Sequence, residues 1–135
     1  MTNGGTHVPM IVSWPANIKA GQTSELTDFT DILPTLAEAA GATVPEKISI
    51  DGKSLLPHLR GEMSSHRKTI FCYYWGYGRD QKKTRAWVRN KRYKLYDDGS
   101  FYDLEKDPFE KVKLTDKEFD GVKETLLLEL KEYMK

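Results

Sequence analysis

The stretch Thr84–Leu104, TRAWVRNKRYKLYDDGSFYDL, decides the fold of this 135-residue chain. Apolar and polar residues alternate through TRAWVR and RYKLY, as they do in strands that bury one face. Asp98-Gly99 is a signal for a type I′ hairpin, which turns the second of these runs back into FYDL. We therefore predict three consecutive antiparallel strands joined by short turns.

A further strand and a helix are predicted on either side of this stretch. Residues 69–75 (TIFCYYW) are rich in aromatic and β-branched side chains, which favours a strand. Over residues 116–134 apolar side chains recur at spacings of three and four, the pattern of an amphipathic helix, with a capping box formed by Thr115 and Glu118. The recurring positions are Phe119, Val122, Leu126, Leu130 and Tyr133. The helix is expected to cover one face of the sheet.

The first part of the chain has a different pattern. Residues 8–14 (VPMIVSW) form a nearly continuous apolar run, typical of a strand that is buried on both faces of a larger sheet. A helix is predicted over residues 32–40, with Asp31 as its N-cap. We divide the chain into residues 1–61, the end of a catalytic α/β domain with this strand and helix, and residues 62–135, a C-terminal antiparallel-sheet subdomain.

The predicted fold class is α+β. It comprises a small four-stranded antiparallel sheet with a C-terminal amphipathic helix packed on it, plus an N-terminal strand and helix left over from a parent α/β domain. No sequence precedes the run at 8–14 that would supply its neighbouring strands, which indicates a part of a larger protein. An unpaired apolar strand tends to pair with a second copy, so we expect possible self-association through strand 8–14.

Composition excludes several classes of partner. Lys and Arg number 21 against 20 Asp and Glu, and the net charge of +1 predicts neither a nucleic acid nor an anionic membrane as partner. No apolar run approaches the length that spans a bilayer.

Cys72 is the only cysteine, so no internal disulfide can form. Basic residues cluster between Arg79 and Lys94, where a solvated strand face and an anion-binding surface are both open.

Four segments, in this order, have a recognisable combination of residues. They are Gly4-Gly5-Thr6-His7-Val8-Pro9 with Trp14-Pro15, Asp31-Ile32-Leu33-Pro34-Thr35-Leu36 with Ala40-Gly41, Asp51-Gly52-Lys53-Ser54-Leu55-Leu56-Pro57 with Leu59-Arg60-Gly61, and Arg92-Tyr93-Lys94-Leu95 with Phe101-Tyr102-Asp103-Leu104-Glu105-Lys106-Asp107-Pro108. Together they resemble the arylsulfatase-like sulfatase family of the alkaline-phosphatase superfamily, in its C-terminal portion only. His7 departs from the pattern, because the family has arginine at this position.

The resemblance implies a parent enzyme that hydrolyses sulfate esters with a formylglycine nucleophile and a divalent metal, calcium or magnesium. The motif Cys/Ser-x-Pro-x-Arg that yields formylglycine is absent from this chain, as are an N-terminal Asp-Asp pair and an Asp-Asn-Gly run to hold the metal. We therefore expect no catalytic residue, metal ligand or cofactor in this chain, which would be inactive alone. Its expected partner is the missing N-terminal catalytic half of the parent.

Four residues are expected to lie near the substrate of the parent. His7 follows the two glycines that the resemblance places near the active site, and either contacts the sulfate or a carboxylate near it or makes a structural hydrogen bond. Trp75, Tyr77 and Arg79 are expected in loops that line the substrate entrance, with a core-capping role as the alternative for Trp75. His66 is expected in an exposed polar loop.

Other functions also fit the sequence. The chain is alternatively a stand-alone, non-catalytic module that binds a glycan or a protein, or a part of a phosphonate or phosphodiester hydrolase of the same superfamily. The sequence leaves the substrate of the parent open. The resemblance is compatible with a periplasmic or secreted parent, but no export signal is found at the start of this chain.

Overall fold

The computed structural model describes residues 2–75, 84–115 and 117–135. The chain divides into two compact units, which are Ile11–Lys68 and Met1–Met10 with Thr69–Lys135. The regions drawn from the sequence, residues 1–61 and 62–135, stay a prediction. No helix within the described ranges is long and apolar enough to cross a membrane.

The N-terminal segment is mostly irregular. After one helical turn, α1 (Asn3–Thr6), residues 8–14 form no strand, and the predicted strand 8–14 is wrong for this chain. A strand needs a neighbour to satisfy its backbone N–H and C=O groups, and the strands of the described sheet pair only with one another. Ile11, in the middle of the run, is 92% exposed. Self-association through residues 8–14 stays a prediction.

The unit Ile11–Lys68 contains two helices, α2 (Ile32–Ala39) and α3 (Leu56–Leu59). The structure thus places a helix where the sequence predicts one over residues 32–40. Asp31 is not the side-chain cap of α2, because its carboxylate turns back to the 3-10 turn at Phe29–Asp31 that precedes the helix.

The second unit is built on a four-stranded sheet, and the predicted antiparallel meander is confirmed. Its strands, in the spatial order β1-β2-β3-β4, are β1 (Ile70–Tyr74), β2 (Arg85–Arg89), β3 (Tyr93–Tyr96) and β4 (Phe101–Asp103). The turn before β4 is not type I′, because only Gly99 has a positive φ there, of 80°. A type I turn followed by a left-handed glycine fits this geometry.

The helix α4 (Asp120–Tyr133) packs on one face of this sheet, as predicted. The buried core comprises Ala86, Val88, Leu95, Phe101, Leu126 and Leu130. A 3-10 turn, Lys117–Phe119, precedes α4, and residue 116 lies outside the described residues. The N-cap of α4 is Phe119, which makes no side-chain cap, so the predicted capping box does not begin this helix.

Candidate functional site

The residues predicted to lie near a substrate are only partly described. His7 is exposed just after α1, and Trp75 follows the end of β1. Trp75 is 58% exposed, so it does not cap the core. Tyr77 and Arg79 lie outside the described residues. No hydrogen bond, ion pair or ring contact joins His7 to Trp75, both of which are described, and the placement of the four residues near a substrate stays a prediction.

The carboxylate of Asp31 is the centre of a buried polar cluster, 1% exposed to solvent. Arg67 Nε donates to both carboxylate oxygens, at 3.0 and 2.9 Å, and Arg67 Nη2 donates to Oδ1. His66 Nε2 lies 3.0 Å from Oδ2. The backbone N–H groups of Asp28 and Lys53 donate to the same carboxylate at 2.9 and 2.8 Å. We call Asp31, His66 and Arg67 the Asp31 cluster.

The Asp31 cluster joins two of the segments that carry the family resemblance. The hydroxyl of Thr35 donates to the backbone carbonyl of Asp31 at 2.6 Å. The same hydroxyl accepts from the backbone N–H of Leu55 at 2.8 Å. The segments 31–36 and 51–57 are therefore joined by hydrogen bonds from the backbone of the second segment to the side chains of Asp31 and Thr35 in the first.

Gly52 permits this docking by its lack of a side chain. A Cβ atom at Gly52 would collide with the backbone carbonyl of Thr30. Arg67 Nη2 also donates to the backbone carbonyl of Asp51 at 3.0 Å, on the residue before this glycine. The close approach of the two backbones thus requires glycine at position 52.

The sequence gives a weak signal for the partners of Asp31. His66 was expected to be exposed, but its side chain is 3% exposed and lies against the Asp31 carboxylate. Neither His66 nor Arg67 belongs to the four segments that carry the resemblance. A carboxylate that is fully buried needs a cationic partner, and the structure shows that Arg67, three residues before β1, is that partner.

The Asp31 carboxyl has a lowered pKa. Burial alone would raise this pKa, but the hydrogen bonds from Arg67, from the Lys53 and Asp28 amides and from His66 lower it from 3.8 to about 2. These partners therefore favour the ionised form in the folded protein.

We expect this lowered pKa to stabilise the folded protein at neutral pH and to be lost in acid. Because the folded pKa lies below that of the unfolded chain, the contribution is present above pH about 4 and disappears as the pH falls through about 2. It amounts to about 2 kcal/mol. Urea titrations between pH 1.5 and 6, roughly the range that spans both pKa values, measure it. If the free energy of unfolding of Asp31→Asn depends on pH in the same way as that of the native chain, the contribution does not come from Asp31.

A second buried polar cluster lies in the sheet unit, on the face opposite α4. Lys94 is 0% exposed, and its Nζ lies 3.0 Å from Glu110 Oε1. The ammonium also lies over the rings of Trp87 and Tyr96, 4.3 and 4.7 Å from their centroids. The hydroxyl of Tyr96 donates to the other oxygen of Glu110. We call these four residues the Lys94 cluster.

Glu110 adopts an unusual backbone conformation in this cluster. Its φ of 56° lies in the left-handed region that side chains other than glycine rarely occupy. Burial lowers the pKa of Lys94, and the Glu110 carboxylate opposes that shift. Burial raises the pKa of Tyr96, and the hydrogen bond to the same carboxylate raises it further. The ion pair with Lys94 and the hydrogen bond from Tyr96 both attach the Glu110 side chain to the sheet.

Each cluster contains an ion pair between buried side chains. In the part of the chain that the structure describes, no three His, Cys, Asp or Glu side chains come together as metal ligands. The residues that the structure describes therefore do not fit the divalent metal implied by the resemblance. Buried, charge-assisted hydrogen bonds in the Asp31 cluster hold together the loops that contain Asp31, Lys53 and Arg67. Those in the Lys94 cluster attach Glu110 to one face of the sheet.

Comparison with known proteins gives a consistent result over the whole chain. The family described as N-sulphoglucosamine sulphohydrolase, C-terminal, matches residues 1–135. Arylsulfatase A of Bos taurus is 41% identical over 69% of this chain, which corresponds to 18% of that relative. An ulvan-active sulfatase of Formosa agariphila is 29% identical over 97% of this chain and 33% of its own length. The chain spans a fifth to a third of these relatives.

Solved structures agree with this result. A protein in complex with its substrate D-glucosamine-2-N,6-O-disulfate has a TM-score of 0.61 and 29% identity, over 76% of this chain and 23% of that one. The yidJ protein of Bacteroides fragilis has a TM-score of 0.69 over 90% of this chain and 28% of its own. At 20% identity it supports the fold alone.

Proposed function

Since the chain belongs to the sulfatase family, by its match to the C-terminal family described above, we propose that it completes an enzyme whose reacting groups lie in another part of the same protein. The whole enzyme would hydrolyse sulfate esters. The observation that carries this proposal is the match over residues 1–135 to a C-terminal family, in a chain that covers only 18% of arylsulfatase A.

The buried clusters support a scaffolding role. The side chains of Asp31 and Thr35 accept hydrogen bonds from the backbone N–H groups of Lys53 and Leu55, which joins the family-like segments at 31–36 and 51–57. Side chains used in this way hold loops in place and are not available to attack a substrate. We propose that the formylglycine and the divalent metal, calcium or magnesium, belong to the missing catalytic half.

We propose a sulfated saccharide as the substrate class of the whole protein. The support is the chemistry printed for two relatives, one active on ulvan and one bound to D-glucosamine-2-N,6-O-disulfate. His7, Trp75, Tyr77 and Arg79 remain the proposed substrate-proximal residues. The exposure of His7 and Trp75 leaves both side chains available for such a contact.

The test of this proposal is the coding sequence immediately upstream of residue 1. We expect an in-frame Cys/Ser-x-Pro-x-Arg motif there, followed by the rest of a catalytic domain. A promoter at this point, with no such reading frame, would contradict the proposal and favour a stand-alone module that binds a glycan or a protein. If the frame is present, comparing aryl sulfate with aryl phosphonate and phosphodiester substrates separates a sulfatase from the other hydrolases of the superfamily.

A further inference from the structure

The exposed side of α2 is a row of apolar side chains. Phe29, in the 3-10 turn before the helix, is 86% exposed, and within the helix Leu33 is 58% and Leu36 63% exposed. Ala40, at the C-terminal cap, is exposed as well. Their spacings of four, three and four residues place all four in one row along the helix. We call Phe29, Leu33, Leu36 and Ala40 the α2 stripe.

The α2 helix turns this apolar side away from the unit that holds it. Only Thr35 and Glu38 are polar among the eight residues of the helix. The hydroxyl of Thr35 accepts from the backbone N–H of Leu55, and Asp31, just before the helix, bonds to Arg67. At about 3.6 residues per turn, the α2 stripe lies on the side of the helix away from Asp31 and Thr35. A helix that is held through its polar side and is apolar elsewhere is typical of the interior of a larger protein.

The unit Ile11–Lys68 exposes more large apolar side chains than it buries. Three are buried and seven are exposed, so the unit has only a small core of its own. The buried ones are Leu26, Leu55 and Leu56, and the exposed ones are Ile11, Val12, Phe29, Leu33, Leu36, Ile48 and Met63. The α2 stripe supplies three of the exposed ones at neighbouring positions of one helix. Neighbouring exposed apolar side chains of this kind mark a place where another surface packs.

The charge around the α2 stripe favours a protein surface over a membrane. Between Lys19 and Lys47 the sequence contains no lysine or arginine but has five acidic residues. A helix that lies on an anionic membrane carries lysine and arginine beside its apolar face. The α2 helix lacks these residues, so the surface that covers it is an apolar surface of a protein.

The remainder of the same protein is the surface best placed to cover the α2 stripe. The matched fold makes up only 23% of one solved relative and 28% of another, and the matched family is a C-terminal one. A surface linked to α2 through the same chain is present at a high effective concentration. It therefore occupies the α2 stripe ahead of a second copy of the protein.

We propose that an apolar surface of the missing catalytic half covers the α2 stripe in the complete protein. The inference rests on the proposed function, which places that half in the same chain. It divides the family-like segment 31–36 by role. Asp31 and Thr35 hold the segment within its own unit, whereas Leu33 and Leu36 form the contact with the catalytic half.

The test uses the complete gene product with the photo-crosslinking residue p-benzoylphenylalanine in place of Leu36. We expect irradiation to link position 36 to a peptide encoded upstream of residue 1, which mass spectrometry identifies. The matched control carries the same residue in place of Leu128 of α4, a leucine that is 65% exposed. Its neighbours along the helix are polar, and no upstream link is expected from this position. These neighbours are Glu124, Thr125, Lys131 and Glu132.

Hydroxyl-radical footprinting of the unaltered complete gene product gives a second measurement that needs no variant. Leu36 and Leu128 are 63% and 65% exposed in the structure of this chain, so they should be oxidised equally if nothing covers either of them. We expect Leu36 to be oxidised about tenfold more slowly, the ratio that follows when its exposed fraction falls to about 5%, as in a fully buried leucine.

Three results would overturn the docking surface. The first is a link from position 36 only to residues within 1–135, and the second is a link that joins two copies of the protein into a covalent dimer. The third is equal oxidation of Leu36 and Leu128 in the complete gene product.

The docking surface and the proposed function fail in different ways. If the complete gene product releases sulfate from an aryl sulfate while Leu36 is oxidised as fast as Leu128, only the docking surface is wrong. If position 36 links to the upstream part but no sulfate is released from any ester, the sulfatase proposal is wrong and the α2 stripe is still an interface with that part. A gene that encodes nothing before residue 1 would contradict both.

Discussion

Replacing Asp31 with asparagine is expected to lower the free energy of unfolding by about 3–5 kcal/mol, the usual effect of removing one partner from a buried ion pair. Asparagine keeps the size of the side chain, but its amide nitrogen accepts no hydrogen bond. This nitrogen would face either a donor of Arg67 or the backbone N–H of Lys53, and both of these groups donate to a carboxylate oxygen in the native chain. Arg67 would also retain a buried charge without its counter-ion. Urea denaturation followed by circular dichroism measures the change.

Asp51→Asn is the matched control for this variant. The Asp51 side chain is exposed, and only its backbone carbonyl accepts from Arg67. A surface change of this kind should alter the free energy of unfolding by no more than about 0.5 kcal/mol. A double variant, Asp31→Asn with Arg67→Met, should be less destabilised than the sum of its two single variants, because the second change removes the uncompensated charge. A loss below about 1 kcal/mol in Asp31→Asn would contradict the buried-pair description.

Replacing Lys94 with methionine should have an effect of similar size, about 3–5 kcal/mol. Methionine fills much of the same volume over Trp87 and Tyr96, so packing is largely kept. What is lost is the ammonium that neutralises Glu110, whose side chain is only 3% exposed. The measurement is again urea denaturation, with hydrogen exchange across β3 as a local readout.

Lys106→Met provides the comparison for this second variant. Lys106 lies exposed just after β4, so its loss should leave stability nearly unchanged. Adding Glu110→Gln to Lys94→Met should recover part of the lost stability, since it removes a buried carboxylate that has lost its Lys94 counter-ion. No recovery in the double variant would show that the cost of Lys94→Met comes from packing and not from charge.

The sheet unit was predictable because its signals are local. Alternation in Arg85–Arg89 and the turn at Gly99 specify neighbouring strands that pair in sequence order. The apolar spacing of Leu126 and Leu130 likewise indicates which face of α4 is buried. In each case the residues that form the structure stand close together in the sequence.

The run at residues 8–14 has the composition of a strand but does not form one. Its composition describes a strand in the interior of a larger sheet, and a strand forms only where a neighbour pairs with it. Within the described residues no neighbour is present, and Ile11 is exposed. The sequence pattern therefore describes an environment that residues 2–75, 84–115 and 117–135 do not provide.

The buried clusters were harder to predict because their members are far apart in the sequence. Its place before a predicted helix indicates Asp31 as an N-cap, but its carboxylate accepts hydrogen bonds from Arg67, 36 positions later. Lys94 belongs to a family-like segment, but no pattern in the sequence indicates that Glu110 is its partner. Long-range ion pairs leave no periodic pattern, so only the folded chain brings their members together.

The most direct test of the central claim is sulfate release from an aryl sulfate, measured for the complete gene product and for residues 1–135 under the same conditions with calcium or magnesium. If this chain completes a sulfatase whose reacting groups lie elsewhere, the complete product hydrolyses the ester and the isolated chain does not. Metal-dependent release of sulfate by residues 1–135 alone, above the rate without protein, would contradict it.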